Sequence, residues 1–364
     1  MAVALGLLCA AEGAVRLWLW QRSGRNGELL WRQHLLWSGQ TAYYAQSKNP
    51  LIDPLGFKKL PNQVLTQRKH RNEFRILVLG GSAVMGWDNA LGHDWPTDLR
   101  DALQRYNTDL YVNVVNGGIS GGLSFHENMQ LWALRHYGWD AVVVYTGYND
   151  LYYFFLDPSH YRATQAAYQS RFQRLNLLSE EVAAHSIIFA YLRNRRVQRQ
   201  LAPDKAVFAT PFGARSVSPE ELLEFQNHLK QQTAEVILSC QSRHIPLLYV
   251  IQPFLSDIQR LRPLTVDERK VKQAFLKQNE LAWDSIVEKH MPLLVESIQS
   301  VCQTQGVPFS YFRDILSPYS EAFYDDVHNH KSAMAVIGLE VGRLVQEKIL
   351  KRSTQAWMRY QPTL

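Results

Sequence analysis

From Phe74 to Gly80 the chain reads Phe-Arg-Ile-Leu-Val-Leu-Gly, a short, branched, apolar run closed by Gly80-Gly81. That is the grammar of a buried strand running into a tight turn. It recurs along the chain. Leu110 to Val115 ends at Asn116-Gly117-Gly118, Ala141 to Thr146 ends at Gly147, Ile245 to Ile251 stops before Pro253, and Val307 to Phe312 makes a shorter fifth strand. Between these runs the apolar positions take helical spacing, over Trp95 to Tyr106, Leu123 to Tyr137, Pro219 to Arg243 and a long stretch from Asp267 to Gln305. Strands alternating with helices predict a three-layer α/β/α sandwich on a parallel, flavodoxin-like five-stranded sheet, since parallel neighbours need a covering crossover between them. In such sheets ligands sit beyond the carboxyl ends of the strands.

Two stretches break the alternation. Residues 151–213 hold aromatics, an Arg-rich patch at Arg193 to Arg199, and Pro203 and Pro211, and read as a helical insertion or lid within a domain over 73–352. Residues 21–72 read as a juxtamembrane arm and 353–364 as a tail. Ahead of them, Met1 to Ala11 carries no charge and Val15 to Trp20 resumes the apolar run after Glu12 and Arg16, which gives about one membrane span. Glu12 and Arg16, four apart, can pair on one helical face, which lowers the cost of burying them. Residues 1–20 are thus expected to form a membrane-anchor helix, with Trp18, Trp20 and Trp31 as an interfacial belt. No basic segment precedes the span and no clean small-residue cleavage site follows it, which argues against a cleaved signal peptide.

Composition narrows the class. With 364 residues, 46% of them hydrophobic and 20% charged, the chain can bury a large core, and disorder is excluded for most of it. The formal charge of +6 is spread without a long basic run, and no nucleic-acid motif accompanies the many aromatics, so nucleic acid is not an expected partner. Cys9, Cys240 and Cys302 lack the spacing of a zinc site or a disulfide framework. The sequence leaves a Cys240–Cys302 bridge open, and two buried free thiols are the expected state.

The chemistry falls at the strand ends. Gly80-Gly81-Ser82 puts a hydroxyl and a main-chain N–H directly after the first strand, Gly118 follows the second, and Gly147-Tyr148-Asn149-Asp150 brings a side-chain donor after the third. Asp325-Asp326-Val327-His328 follows the last, and a separation of three lets the Asp325 carboxylate reach the His328 imidazole within one turn. Taken singly, each piece could be a helix cap, a turn glycine or a surface histidine. Asp326 and His330 are competing choices in the same loop. Gly118-Ile119-Ser120-Gly121-Gly122 also matches a Gly-x-Ser-x-Gly nucleophile elbow, but that fold places several strands before the elbow and here only one precedes it, so Ser120 ranks below Ser82.

In this order, over roughly Phe74 to Gly338, the four pieces resemble the sequence blocks of the SGNH/GDSL hydrolase family, whose Ser, Gly, Asn and His map onto Ser82, Gly118, Asn149 and His328. The sequence departs at Gly81, where the Gly-Asp-Ser form carries Asp. The resemblance implies a serine esterase in which Ser82 is the nucleophile, Asp325 and His328 complete the triad, and the Ser82 and Gly118 amides with the Asn149 side chain form an oxyanion hole. It implies no cofactor or metal, a small-molecule, glycan or lipid ester as substrate, and, with the N-terminal span, an extracytoplasmic domain. Arg22, Arg25 and Arg32 on the domain side of the span run against that orientation. The same fold could instead serve an O-acyltransferase, a carbohydrate O-acetylesterase acting on envelope or exopolysaccharide, or an inactive membrane-tethered binding protein.

Overall fold

Strand β1 spans Glu73–Gly80, β2 Tyr111–Gly118, β3 Ala141–Thr146, β4 Leu247–Ile251 and β5 Phe309–Tyr311. They form one parallel sheet in the order β2-β1-β3-β4-β5. Ile76, Leu77, Val78 and Leu79 are all fully buried, as are Val142, Val143 and Val144. Helices cover both faces of a parallel sheet, which is why these strands read as continuous apolar runs and not as alternations. From β1 the chain goes to β2 on one side, and β3 lies on the other. That reversal opens a crevice at the carboxyl ends of β1 and β3.

The computed structural model describes residues 10–18, 21, 68–86, 94–119, 121–158, 161–162, 188, 217–319 and 321–354. The chain divides into two units, Met1–Lys59 with Arg162–Phe208, and Leu60–Tyr161 with Ala209–Leu364; the sheet belongs to the second. In the first, residues 10–18 are helical and Arg16 Nη2 pairs with Glu12 Oε1 at 3.0 Å. Among the described residues no helix is long and apolar enough to cross a membrane. The membrane helix expected over residues 1–20 is therefore not supported by what is described of it. Residues 1–9, most of the expected arm, and most of the expected insertion, including Arg193 to Arg199, lie outside the described residues.

Helix α1 is the single turn Ser82–Met85, α2 is Trp95–Tyr106, α3 Ser124–Ala133 and α4 Tyr148–Leu156. After them come α5 Pro219–Gln241, α6 Leu255–Ile258, α7 Val266–Leu276, α8 Glu280–Thr304 and α9 Lys331–Leu344. Local chemistry sets several of the starts. Asp94 accepts from the Thr97 N–H at 2.9 Å ahead of α2, and Ser218/Glu221 and Thr265/Glu268 form reciprocal caps on α5 and α7.

The helix expected from Asp267 to Gln305 is two helices. The chain breaks at Lys277, which takes φ 51°, and buried Lys272 on α7 pairs across the break with Asp284 on α8. Helix α9 crosses α2 at close range: a Cβ on Gly338 would stand 2.6 Å from Asp98 Cβ and 2.8 Å from the Trp95 carbonyl. Cys240 on α5 and Cys302 on α8 are buried free thiols, and burial pushes both up to about 12.

Candidate active site

Where β1 ends, Gly81 precedes α1 and Ser82 is that helix's first residue. Gly86, in the left-handed region at φ 62°, closes the turn by donating its N–H to the Ser82 carbonyl at 2.8 Å. The Ser82 N–H lies at the open end of the turn and has no hydrogen-bond partner among the described residues.

Ser82 Oγ lies 2.7 Å from His328 Nε2, and His328 Nδ1 lies 2.6 Å from Asp325 Oδ2. An ionised carboxylate can only accept, so the ring proton sits on Nδ1 and Nε2 is left to accept from the serine hydroxyl. Asp325 is fixed in turn, because its Oδ1 accepts the N–H groups of Val327 at 2.8 Å and His328 at 2.6 Å. Burial alone would raise its pKa, yet these donors and the imidazole hold the carboxyl below the usual carboxylate range. Tyr324 stacks on the imidazole, ring centroids 5.6 Å apart and planes 9° from parallel.

Neither competitor joins this arrangement. The fully buried Asp326 points inward, accepting from Ser256 Oγ at 2.7 Å, Ser256 N at 3.0 Å and Trp283 Nε1 at 2.9 Å. It thereby ties the loop to α6 and α8. His330 is exposed at the start of α9. Ser120 lies outside the described residues.

Asn149 stands in the first turn of α4, which Gly147 opens with φ 118°, a conformation glycine takes most readily. Its Nδ2 donates to the Gly122 carbonyl at 2.8 Å. Next to it, Asp150 accepts from Ser124 Oγ at 2.9 Å, Ser124 N at 3.1 Å and Tyr161 Oη at 2.8 Å, joining α4 to the start of α3. Burial pushes Asp150 up to about 6 in spite of these donors.

Gly118 is not where the sequence reading put it. It is the last residue of β2, paired with Gly80, and its N–H donates to Asn116 Oδ1 at 3.0 Å. A Cβ there would stand 2.3 Å from Met85 N, so this glycine lets α1 pack directly on the strand. The amide expected from Gly118 is already engaged. The turn lies three residues on, at Gly121, which holds φ 66° and whose N–H makes no hydrogen bond among the described residues. The signal was present in the sequence: of the glycines in Gly-Gly-Ile-Ser-Gly-Gly, those that follow the strand are the ones free to turn. No group of three or more His, Cys, Asp or Glu side chains that could hold a metal ion occurs among the described residues.

Fold and site together define a class, an all-parallel α/β/α protein with a serine, an imidazole and a carboxylate in sequential contact over its strand ends. No protein-family model and no curated protein matches the chain. Among solved structures it is similar to an acetyl xylan esterase from Geobacillus stearothermophilus, with 11% identity, 76% of this chain and 95% of that one covered, and a TM-score of 0.42. A lipase/acylhydrolase from Enterococcus faecalis aligns with 14% identity, 80% and 99% covered, and a TM-score of 0.40. A member of the lipolytic G-D-S-L family from Veillonella parvula aligns with 9% identity, 76% and 99% covered, and a TM-score of 0.40. Likeness this distant carries no argument about activity, which has to come from the site itself.

Proposed function

We propose that the chain is a serine esterase of the SGNH/GDSL kind, with Ser82 as nucleophile, His328 as general base and acid, and Asp325 as the group that orients the imidazole. The observation that carries this is the unbroken contact from Ser82 Oγ to His328 Nε2 at 2.7 Å and from His328 Nδ1 to Asp325 at 2.6 Å. A serine hydroxyl is a weak nucleophile until an adjacent base takes its proton, and the base needs a third group to fix its tautomer. Both conditions are met, the first between residues 246 apart in the chain and the second between residues three apart.

Ser82 Oγ would bond to the ester carbonyl carbon while Nε2 takes the hydroxyl proton. The tetrahedral centre then collapses, the bond to the alcohol oxygen breaks, and the alcohol leaves with that proton. Water, deprotonated by the same nitrogen, cleaves the acyl-serine to the carboxylic acid and restores the hydroxyl. The developing oxyanion needs donors fixed in advance. The Ser82 N–H and the Gly121 N–H, each without a partner among the described residues, are two such donors. The third is the second Nδ2 hydrogen of Asn149, whose first is spent on Gly122. The substrate class is a carboxylic ester of a small molecule, glycan or lipid.

Ser82→Ala is expected to abolish hydrolysis of p-nitrophenyl acetate and labelling by a fluorophosphonate probe, with the fold unchanged by circular dichroism. Undiminished labelling of that variant would reject the proposal.

A further inference from the structure

We propose that Gly81 is a positioning residue for Asn149: a side chain at 81 and the present placement of the Asn149 carboxamide exclude one another. This rests on the esterase reading for its kinetic consequence, though not for its geometry. Gly81 has φ −84° and ψ −158°, extended backbone that any residue adopts, so the main chain does not demand glycine. The space does. A Cβ at 81 would meet Asn149 Nδ2 at 2.5 Å, well inside the roughly 3.5 Å at which non-bonded atoms pack best, with Asn149 Cγ at 3.5 Å and the Gly122 carbonyl at 3.6 Å.

What surrounds the carboxamide decides which part yields. The Gly122 carbonyl that holds it belongs to a turn pinned to the sheet, since Gly122 N donates to Ile119 O at 2.8 Å and Ile119 N donates to Gly80 O at 2.9 Å. A Cβ on Gly122 would itself stand 2.9 Å from Ile119 O and 3.1 Å from Gly80 O, so that turn has no slack. The backbone at 149 is held through Asp150, whose carboxylate accepts from Ser124 and Tyr161. The terminal amide of Asn149 is left as the part that moves. A methyl group at 81 would push it off Gly122 and away from the pose in which its other hydrogen can meet an oxyanion.

The test compares Gly81→Ala, Asn149→Ala and the double variant. Gly81→Ala should lower kcat for p-nitrophenyl acetate by about 100- to 1,000-fold, the usual loss for one oxyanion donor, with little change in KM. The double variant should be no slower than Asn149→Ala, because the shortened side chain at 149 leaves room for the methyl group. A second readout needs no turnover. With asparagine labelled by nitrogen-15, the side-chain amide resonances that vanish in Asn149→Ala should shift in Gly81→Ala.

Full activity in Gly81→Ala, an additive double variant, or unmoved Asn149 resonances would each overturn the proposal. If Gly81→Ala alone fails to fold, the double variant must fold, and its failure to do so would overturn the proposal as well. Shifted resonances in a protein whose Ser82→Ala variant still hydrolyses the ester would sink the esterase reading and leave the Gly81–Asn149 exclusion standing.

Discussion

Two adjacent carboxylates meet opposite fates at the site. Asp325 is half-buried, collects two backbone N–H groups and the imidazole, and is held ionised. Asp326 is wholly buried, and burial pushes it up to about 6 although Ser256 and Trp283 donate to it. Their exchange for neutral groups should therefore part activity from stability. Asp325→Asn is expected to lower kcat on the order of 10⁴-fold, because an amide can donate to the imidazole and stabilise the wrong tautomer. Its urea midpoint should stay near that of the parent. Asp326→Ala leaves three buried donors without their acceptor and should lower stability in the same urea titration by about 1–3 kcal/mol for each that stays unpaired. The spacing of three between Asp325 and His328 could be read in the sequence. The inward turn of Asp326 could not, because its partners Ser256 and Trp283 lie 70 and 43 residues away.

Among the elements, runs whose pattern is set locally were legible. Ala141–Thr146 and Trp95–Tyr106 have the bounds their sequences imply, the second because Asp94 caps it and Pro96 suits its first turn. Elements shaped by tertiary contact were not. Asn116-Gly117-Gly118 looks like a turn but continues β2: a Cβ on Gly117 would stand 2.6 Å from the Val78 carbonyl, so close packing between strands asks for these glycines. The break between α7 and α8 has no glycine or proline to announce it. It is bridged by the buried Lys272, which reaches forward to Asp284 beyond it. Gly118→Ala should accordingly lower stability by about 1–3 kcal/mol as an overpacked contact, since the atoms in its way are the backbone of α1 and cannot swing aside. Guanidinium denaturation checks this, and an unchanged midpoint would show that α1 yields freely.

Across the whole molecule, buried titratable groups give stability a pH dependence of definite sign. Burial first, then neighbouring carboxylates, pushes Glu127 up to about 8 and Asp98 up to about 7. The folded chain therefore holds protons that the unfolded chain has released, and stability falls as pH rises through that range. His126 and His228 act in the other direction: burial lowers them to about 3 and about 4, so acidification below the ordinary histidine range favours the unfolded chain. Between pH 6.5 and 8 the carboxyls dominate. The urea midpoint should be lower at pH 9 than at pH 6.5, and Glu127→Gln should flatten the slope; a midpoint that rises with pH would contradict this.

The late arrival of His328 has its own outcome in the cell. Ser82 leaves the ribosome 246 residues before the imidazole it contacts, and at ordinary rates of synthesis that gap lasts roughly 10 to 50 s. The loop bearing the imidazole leads straight into α9, which seats against α2 at the Gly338 crossing. A nascent chain would therefore carry only an inert alcohol, and on the esterase reading its reactivity switches on only once the imidazole has been brought to Ser82.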